Sequence, residues 1–386
     1  MATFPILRAH PATLRRLPER AKQASLTLFP PAARHGNCEP PCGASAPPPA
    51  THRSRKPATE LAGIARLAAS SPCAEAKRGT EYYLLPVRSI LNECHSERVP
   101  FRWTVNPYRG CEFGCRYCYA RYTHEYLEHD ATDFESKIYV KQDAGALAAR
   151  DLARENVWGE HIAIGTATDP YQPAEREFGV TRAILEKVAA REGLSISITT
   201  KSNLVVRDIE LLQRIAGRSS LTVNLSVTTL RTGLARLLEP RAPRPDLRLE
   251  AVRKLREAGI AAGVFAMPIL PGLTDRDEDL DALARAAREA GAQWLVAGAV
   301  FLMPSSWKVF FGFLEEKFPR LAGRYRELYR GYGDAPETYA RELAARVAEL
   351  RRKYRLGARP QETAARAWQS PQMQLVWEKG EAPCQA

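Results

Sequence analysis

Long apolar runs are absent from this chain of 386 residues. No stretch approaches the roughly 20 consecutive apolar residues that a membrane-spanning helix requires, and no compact apolar segment near Met1 is typical of a secretory signal. These absences favour a soluble, cytoplasmic protein without a membrane partner. The hydrophobic content of 45% is sufficient to fill the core of one large α/β domain or of two smaller ones.

Acidic residues are scarce at the N-terminal end. Residues 1–80 contain twelve lysines and arginines and only four glutamates, so they carry +8 of the formal net charge of +12. This segment is also rich in Pro, Ala and Ser without a sustained hydrophobic period, so we predict a disordered basic extension. This composition agrees with a transit peptide, with an extension of another function, or with a start codon assigned too early. A nucleic-acid-binding protein is an alternative that rests mainly on this segment.

A regular disulfide pattern is also missing. The eight cysteines are irregularly spread over a long chain without a secretion signal, so reduced thiols are expected. Five of them are interpreted as incidental free thiols: Cys38, Cys42, Cys73, Cys94 and Cys384.

The other three cysteines lie in one short loop. Cys111, Cys115 and Cys118 have the spacing Cys-x3-Cys-x2-Cys. Thiolates at such a spacing can bind three irons of a [4Fe–4S] cluster, and no fourth cysteine completes the run, which leaves one iron open. The spacing alone also allows a non-catalytic iron–sulfur electron-transfer protein or a structural metal protein, including a zinc site completed by His124.

Short β-branched runs alternate with longer amphipathic stretches from residue 82 onwards. Strands are predicted over 101–105, 161–166, 194–199, 220–227, 262–270 and 294–302, and helices over 144–155, 179–192, 206–216, 246–258 and 277–290. Repeated strand–helix units predict a parallel sheet with right-handed crossovers, and six units suit a partial (β/α)6 TIM-like barrel. We therefore predict a core over 81–320 and, with a strong helix over 336–355, a helical C-terminal segment and tail over 321–386.

Polar residues follow several of the predicted strands. In barrels of this type the reactive groups lie at the C-terminal ends of the strands. The cysteine loop follows the first strand, Thr168 and Asp169 follow the second, and Lys201 and Ser226 lie at the ends of the third and fourth. We therefore expect these groups to meet at one mouth of the barrel.

The cysteine loop, with Tyr117 before its third cysteine, resembles the radical S-adenosylmethionine (radical SAM) superfamily. Further segments are similar to its branch related to spore photoproduct lyase, which includes proteins similar to DNA repair photolyases. The similar segments are 106–111, 133–135, 140–141, 166–175, 200–202, 239–240 and 258–260. The resemblance spans roughly residues 82–320, most of the predicted core.

The resemblance implies an enzyme that holds a [4Fe–4S] cluster through the three cysteines and binds S-adenosyl-L-methionine at the open iron. Its reductive cleavage would give a 5′-deoxyadenosyl radical for hydrogen abstraction from a substrate that the sequence does not name. A one-electron reductant such as a flavodoxin or a ferredoxin is the implied partner. By position, Thr168 and Asp169 are expected near the cofactor's ammonium, Lys201 near its carboxylate, Ser226 near its carboxylate or ribose, and Tyr117 near its adenine.

Each of these residues also has a plain structural interpretation as a turn, cap, packing or strand-end residue. Tyr119, which follows the third cysteine, is the candidate catalytic residue, either as a radical relay or as a ring that packs beside the cluster. Arg109, Arg116 and Arg121 flank the loop and are interpreted either as attracting an anionic substrate or electron donor, or as solvated surface charges.

Thr166 marks a departure from the lesion-repairing lyase. That enzyme has at the matching position a cysteine that returns a hydrogen atom to the product radical. The O–H bond of a threonine is far too strong for this role. Repair of nucleic-acid lesions therefore remains an alternative and not the leading hypothesis.

Overall fold

The computed structural model describes residues 60–77, 79–95, 99–330 and 333–358. Its strands are β1 Cys73–Lys77, β2 Thr80–Leu85, β3 Leu91–Glu93, β4 Trp103–Val105, β5 Tyr108–Arg109, β6 Lys137–Lys141, β7 His161–Ile164, β8 Ser195–Thr200, β9 Ser220–Ser226, β10 Ala262–Ile269 and β11 Leu295–Ala299. Its α-helices are α1 Gly63–Ser70, α2 Tyr122–Glu125, α3 Ala144–Asp151, α4 Glu175–Phe178, α5 Val180–Val188, α6 Ile209–Ala216, α7 Thr232–Leu238, α8 Pro245–Glu257, α9 Asp277–Glu289, α10 Pro304–Lys317, α11 Pro319–Tyr329 and α12 Glu337–Tyr354.

The larger sheet has the strand order β11-β10-β9-β8-β7-β4-β3. Its six strands from β4 to β11 pair in parallel, and β3 pairs antiparallel with β4 at the edge. Both edges of the sheet are free of further strands in the described residues, so the barrel is partial. The predicted α/β fold with a partial TIM-like barrel is confirmed.

The strands of the larger sheet are largely buried, although β8 and β9 also carry serines and threonines. All four residues of β7 are buried, as is usual for a parallel strand with both faces packed. The helices follow the strands as predicted; α8 begins with Pro245 in its first turn, and α9 has three acidic residues in its first turn. The chain beyond α12 returns to the sheet, where Gly357 bridges to Trp294. No helix among the described residues is both long and apolar enough to cross a bilayer.

A second sheet, in the order β1-β2-β6-β5, was not predicted. It corrects part of the expected N-terminal extension, because residues 60–77 and 79–80 form α1, β1 and the start of β2. The strand β2 pairs in parallel with β6, more than 50 residues further along the chain, and a local pattern does not reveal such a partner. Residues 1–59, with Cys38 and Cys42, lie outside the described residues, as does Cys384.

Candidate functional site

A cavity opens at the carboxyl ends of the parallel strands. Its walls include all nine residues that were predicted to form the site, together with Thr166. The nine are Cys111, Cys115, Cys118, Tyr117, Tyr119, Thr168, Asp169, Lys201 and Ser226. The strand order brings these groups together as expected from a parallel sheet. Their individual roles stay predictions.

The cysteine loop is anchored at its first cysteine and again between its second and third cysteines. The Cys111 N–H donates to the Phe134 carbonyl at 2.9 Å, and the Arg116 N–H donates to the Leu238 carbonyl at 2.9 Å. Gly110 before the loop has φ +84°, and a Cβ there would lie 2.8 Å from the Lys137 carbonyl oxygen, so only glycine fits. These contacts fix where the thiols point.

Glu112, inside the loop, is a second anchor. Its carboxylate accepts from the Ala174 N–H at 2.7 Å and from the Tyr82 hydroxyl at 2.9 Å. Its own N–H donates to the Gln172 side-chain carbonyl at 2.9 Å. The loop is therefore connected both to the segment after β7 and to β2 of the smaller sheet.

The three thiols are free and lie against the same cavity. Burial raises the pKa of all three, that of Cys115 to about 12, and the Lys201 ammonium opposes the rise at Cys115. No three His, Cys, Asp or Glu side chains in the described residues are arranged to hold one metal ion. A zinc ion needs its ligands within about 2.0–2.3 Å of one point, whereas cluster thiolates bind separate irons. The arrangement suits a cluster better than zinc.

Lys201 presents an unpartnered cation to the cavity. Within the described residues its ammonium makes no hydrogen bond or ion pair, and its Nζ lies 5.7 Å from the centre of the Tyr117 ring. Burial lowers the pKa of this amine, but the Cys115 thiol and Glu239 outweigh burial, so the pKa is raised overall. Lys201 is thus available to an anionic group in the cavity.

Asp169 holds the loops after β7 and β8 together. Its carboxylate accepts from the Tyr171 N–H at 2.9 Å, the Thr200 hydroxyl at 2.6 Å and the Lys201 N–H at 2.7 Å. Burial raises the pKa of Asp169, while these donors lower it. The carboxylate therefore positions the backbone of Lys201 in addition to facing the cavity.

Thr168 and Ser226 both line the cavity. The Thr168 hydroxyl donates to the Gly110 carbonyl at 2.6 Å and accepts from the Gln172 amide at 3.0 Å, so it supports the cysteine loop. The Ser226 side chain faces the cavity, and its backbone carbonyl accepts from Arg248 at 3.0 Å. Of the two hydroxyls, that of Ser226 is the freer to bind a ligand.

A buried network of hydrogen bonds and one ion pair lies behind Tyr117 and was not predicted from the sequence. The Tyr117 hydroxyl donates to Glu239, which also accepts from the Thr228 hydroxyl at 3.0 Å and forms an ion pair with Arg248. Glu239 and Arg248 are both about 1% exposed. The segment 239–240 was noted only as similar to a family, and nothing in its local pattern indicated a partner on α8.

Tyr119 and Thr166 contact each other directly. The Tyr119 hydroxyl donates to the Thr166 carbonyl, and the Thr166 hydroxyl accepts from the Asn106 amide at 3.0 Å. Both residues line the cavity. The geometry is compatible with either role considered for Tyr119, relay or packing.

Two other residues near the loop are structural. Arg121 is fully buried and pairs with Glu135, and its Nη2 donates to the Cys115 carbonyl at 3.1 Å, so it is not a surface charge. His124 forms a hydrogen bond through Nε2 with the Lys137 carbonyl at 2.9 Å and does not line the cavity. It does not complete a zinc site with the cysteines.

Comparison with known families gives one match over the barrel. The model of the radical SAM superfamily matches residues 105–284. An uncharacterized protein of Mycobacterium bovis is 38% identical over 280 residues, which cover 72% of this chain and 82% of that protein. An uncharacterized protein of Methanocaldococcus jannaschii is 33% identical over 174 residues, 45% of this chain and 62% of that protein.

Solved structures show the same fold at low identity. A mutant of spore photoproduct lyase superposes with a TM-score of 0.54 at 17% identity, over 72% of this chain and 80% of that one. Another mutant of that lyase, with bound AdoMet and dinucleoside spore photoproduct, gives a TM-score of 0.51 at 18% identity, over 79% of this chain and 86% of that one. These similarities concern the fold.

Proposed function

The chain belongs to the radical SAM superfamily, and from that premise we propose that its cavity binds a [4Fe–4S] cluster and S-adenosyl-L-methionine. When bound, the reduced pair supplies a 5′-deoxyadenosyl radical that takes a hydrogen atom from the substrate. The proposal includes a one-electron reductant such as a flavodoxin or a ferredoxin. The substrate is left open.

The donor set fits these groups. Three free thiols face one cavity without converging on a single point, as a cluster with separate irons requires. Among the described residues, no fourth cysteine lines the cavity. The three thiolates of Cys111, Cys115 and Cys118 would hold the cluster and leave one iron to an amino acid's amine and carboxylate.

The remaining polar groups of the wall suit the amino-acid end of the cofactor. The unpartnered Lys201 ammonium would attract its carboxylate, and the Ser226 hydroxyl would donate to the same carboxylate or to a ribose oxygen. The Asp169 carboxylate would keep the Lys201 backbone in place and add negative charge near the ammonium. Tyr117, held by Glu239, would form the wall beside the adenine.

One observation carries the proposal: three thiols and a half-buried lysine without an anionic partner among the described residues, from separate strand ends, share one cavity. A neutral packing role does not explain Lys201, because burying an amine without an anion costs free energy. An anionic ligand beside the thiols does explain it.

The test is anaerobic reconstitution of the full chain with iron and sulfide, followed by reduction in the presence of S-adenosyl-L-methionine. We expect about four irons per chain and the release of 5′-deoxyadenosine, detected by chromatography and mass spectrometry. A fully loaded protein that releases none would reject the enzymatic proposal and favour an electron-transfer or structural role. The Cys115→Ala variant, prepared in the same way, is the matched control for background cleavage.

A further inference from the structure

The smaller sheet carries two cations on one face. In the antiparallel pair of β5 and β6, Arg109 lies opposite Tyr139. Side chains alternate along a strand, so Lys141, two residues beyond Tyr139, faces the same side as Arg109. Tyr108, Ile138 and Val140 point the other way, into the main core. Arg109 and Lys141 are therefore diagonal neighbours across the two strands, roughly 7–8 Å apart at their backbones.

Neither cation has a counter-charge among the residues that the structure describes. Lys141 is 5% exposed, and its ammonium makes no hydrogen bond or ion pair with the described residues. The Nε of half-buried Arg109 is shielded from solvent and has no hydrogen-bond partner there. Burial, together with the smaller effect of the Arg109 charge, lowers the pKa of Lys141 to about 7. No acidic group in the described structure acts in the opposite direction on this lysine.

Nearby cations in the same part of the fold do have acidic partners. Lys137, on the same strand and face, pairs with Asp133 at 3.1 Å. Arg121, which is fully buried, pairs with Glu135. Buried charges are normally paired because removing an unpaired charge from water is unfavourable. The pair of Arg109 and Lys141 departs from a rule that its neighbours follow, so an anion from outside the chain would complete it.

The pair is separate from the cavity that holds the cysteines. Neither Arg109 nor Lys141 lines that cavity. Two aromatic rings connect the cavity to the pair of cations. Tyr119, on the cavity wall, stacks with Tyr122 at 6.4 Å between ring centres. Burial raises the pKa of the Tyr122 hydroxyl, and the Arg109 charge opposes this rise. The carboxylate of a cofactor in the cavity is therefore not the missing anion.

We propose that Arg109 and Lys141 form a second site, which binds an oxyanion of the phosphate type. A guanidinium offers a planar fork of donors that matches phosphate oxygens, and an ammonium adds a compact charge beside it. The half-exposed Arg109 provides access from solvent, and Lys141 supplies the buried end. Inorganic phosphate and the phosphate of a nucleotide or nucleic acid share this chemistry.

The test is thermal unfolding of the full chain in rising potassium phosphate, compared with potassium chloride at equal ionic strength. Wild type should gain stability in phosphate beyond the chloride series. Lys141→Met should weaken the apparent phosphate affinity at least about tenfold, because charge-assisted hydrogen bonds are lost. Lys137→Met is the matched control, since it removes a paired lysine from the same face and should keep the wild-type affinity.

Lys141→Met removes an unpaired buried charge, so it is expected to fold and to unfold at a higher temperature than wild type when phosphate is absent. Arg109→Met provides a second variant with the same expected loss of phosphate affinity. An absent phosphate effect in wild type, or an undiminished one in both variants, would overturn the proposal. Adenosine monophosphate and adenosine separate the sources: tighter binding of the monophosphate than of phosphate indicates a nucleotide-borne group, and equal binding indicates the free ion.

Discussion

The Lys201 ammonium faces the ring of Tyr117 at 5.7 Å, so a cation and an aromatic face form one wall of the cavity that the three thiols share. Tyr117 in turn is fixed by Glu239. The relationship links a residue between two of the cysteines to the end of the third parallel strand. The cysteine loop and Lys201 therefore belong to one site. Their contributions to cluster binding and to cofactor binding can be measured separately.

Replacing any one of Cys111, Cys115 or Cys118 by alanine should abolish stable cluster binding, because two thiolates cannot hold three irons. The measurement is iron and sulfide per chain after anaerobic reconstitution, together with the visible absorbance of the cluster. Cys94→Ala is the control, since Cys94 is free and outside the cavity wall. A full iron content in any of the three variants would refute the ligand assignment.

Lys201→Met should keep the cluster and weaken binding of S-adenosyl-L-methionine by roughly tenfold or more, because an ionic hydrogen bond to a carboxylate is lost. Equilibrium binding to the reconstituted protein measures this change. Lys187→Met, at the exposed end of α5, removes a lysine far from the cavity and should change nothing. An unaltered affinity in the Lys201 variant would show that the charge of Lys201 does not contribute to binding S-adenosyl-L-methionine.

Arg248→Met should destabilise the protein by about 3–5 kcal/mol, because Glu239 would be left as an unpaired buried carboxylate. Urea unfolding of the cluster-free protein gives the free energy. The double variant Glu239→Gln with Arg248→Met removes both charges, so it should be more stable than Arg248→Met alone. The single variant Glu239→Gln completes the comparison. If the double variant loses as much unfolding free energy as Glu239→Gln and Arg248→Met lose together, the two residues are not coupled.

His124 gives the fold a dependence on pH. Burial lowers the pKa of this imidazole from 6.5 to about 4. A histidine with a depressed folded-state pKa stabilises the protein above its unfolded pKa, and this contribution is lost as the pH falls from about 6.5 towards 4. At 1.36 kcal/mol per pKa unit, the loss is about 3 kcal/mol.

His124→Gln should therefore flatten the decline in unfolding free energy between these pH values, since glutamine does not titrate and its amide can donate to the Lys137 carbonyl. Urea unfolding of the cluster-free protein at a series of pH values measures the slope. His95→Gln, at an exposed position, should leave the slope as in wild type. An equally steep decline in the His124 variant would assign the acid sensitivity to other groups.

The barrel was predictable because its signals are local. Each of the six parallel strands is a short apolar run followed by an amphipathic helix, and the parallel order then fixes which loops meet. This is why Lys201 and Ser226, far apart in sequence from the cysteines, were expected beside them. The ends of the strands differed from the prediction by at most three residues, because pairing and not composition sets the boundary.

The rest of the site depends on contacts that no local pattern encodes. The Asp169 carboxylate was expected to bind a ligand, and it also accepts three hydrogen bonds that tie two loops together. Arg121 was interpreted as a possible surface charge, yet Glu135 pairs with it in the interior. The partners of Glu239 and the pairing of β2 with β6 are likewise set by tertiary structure.

The hydrogen bond between Tyr82 and Glu112 has a consequence for the size of the autonomous unit. The family match begins at residue 105, but β2, which supplies Tyr82, begins at Thr80. A shortened protein that begins at residue 105 would lack β2, a neighbour of β6. It would also lose one of the three hydrogen bonds that fix Glu112. Such a fragment also lacks most of β4. We expect it to keep the other parallel strands but to hold the loop between Cys111 and Cys115 less firmly, and to aggregate through its exposed strand edges.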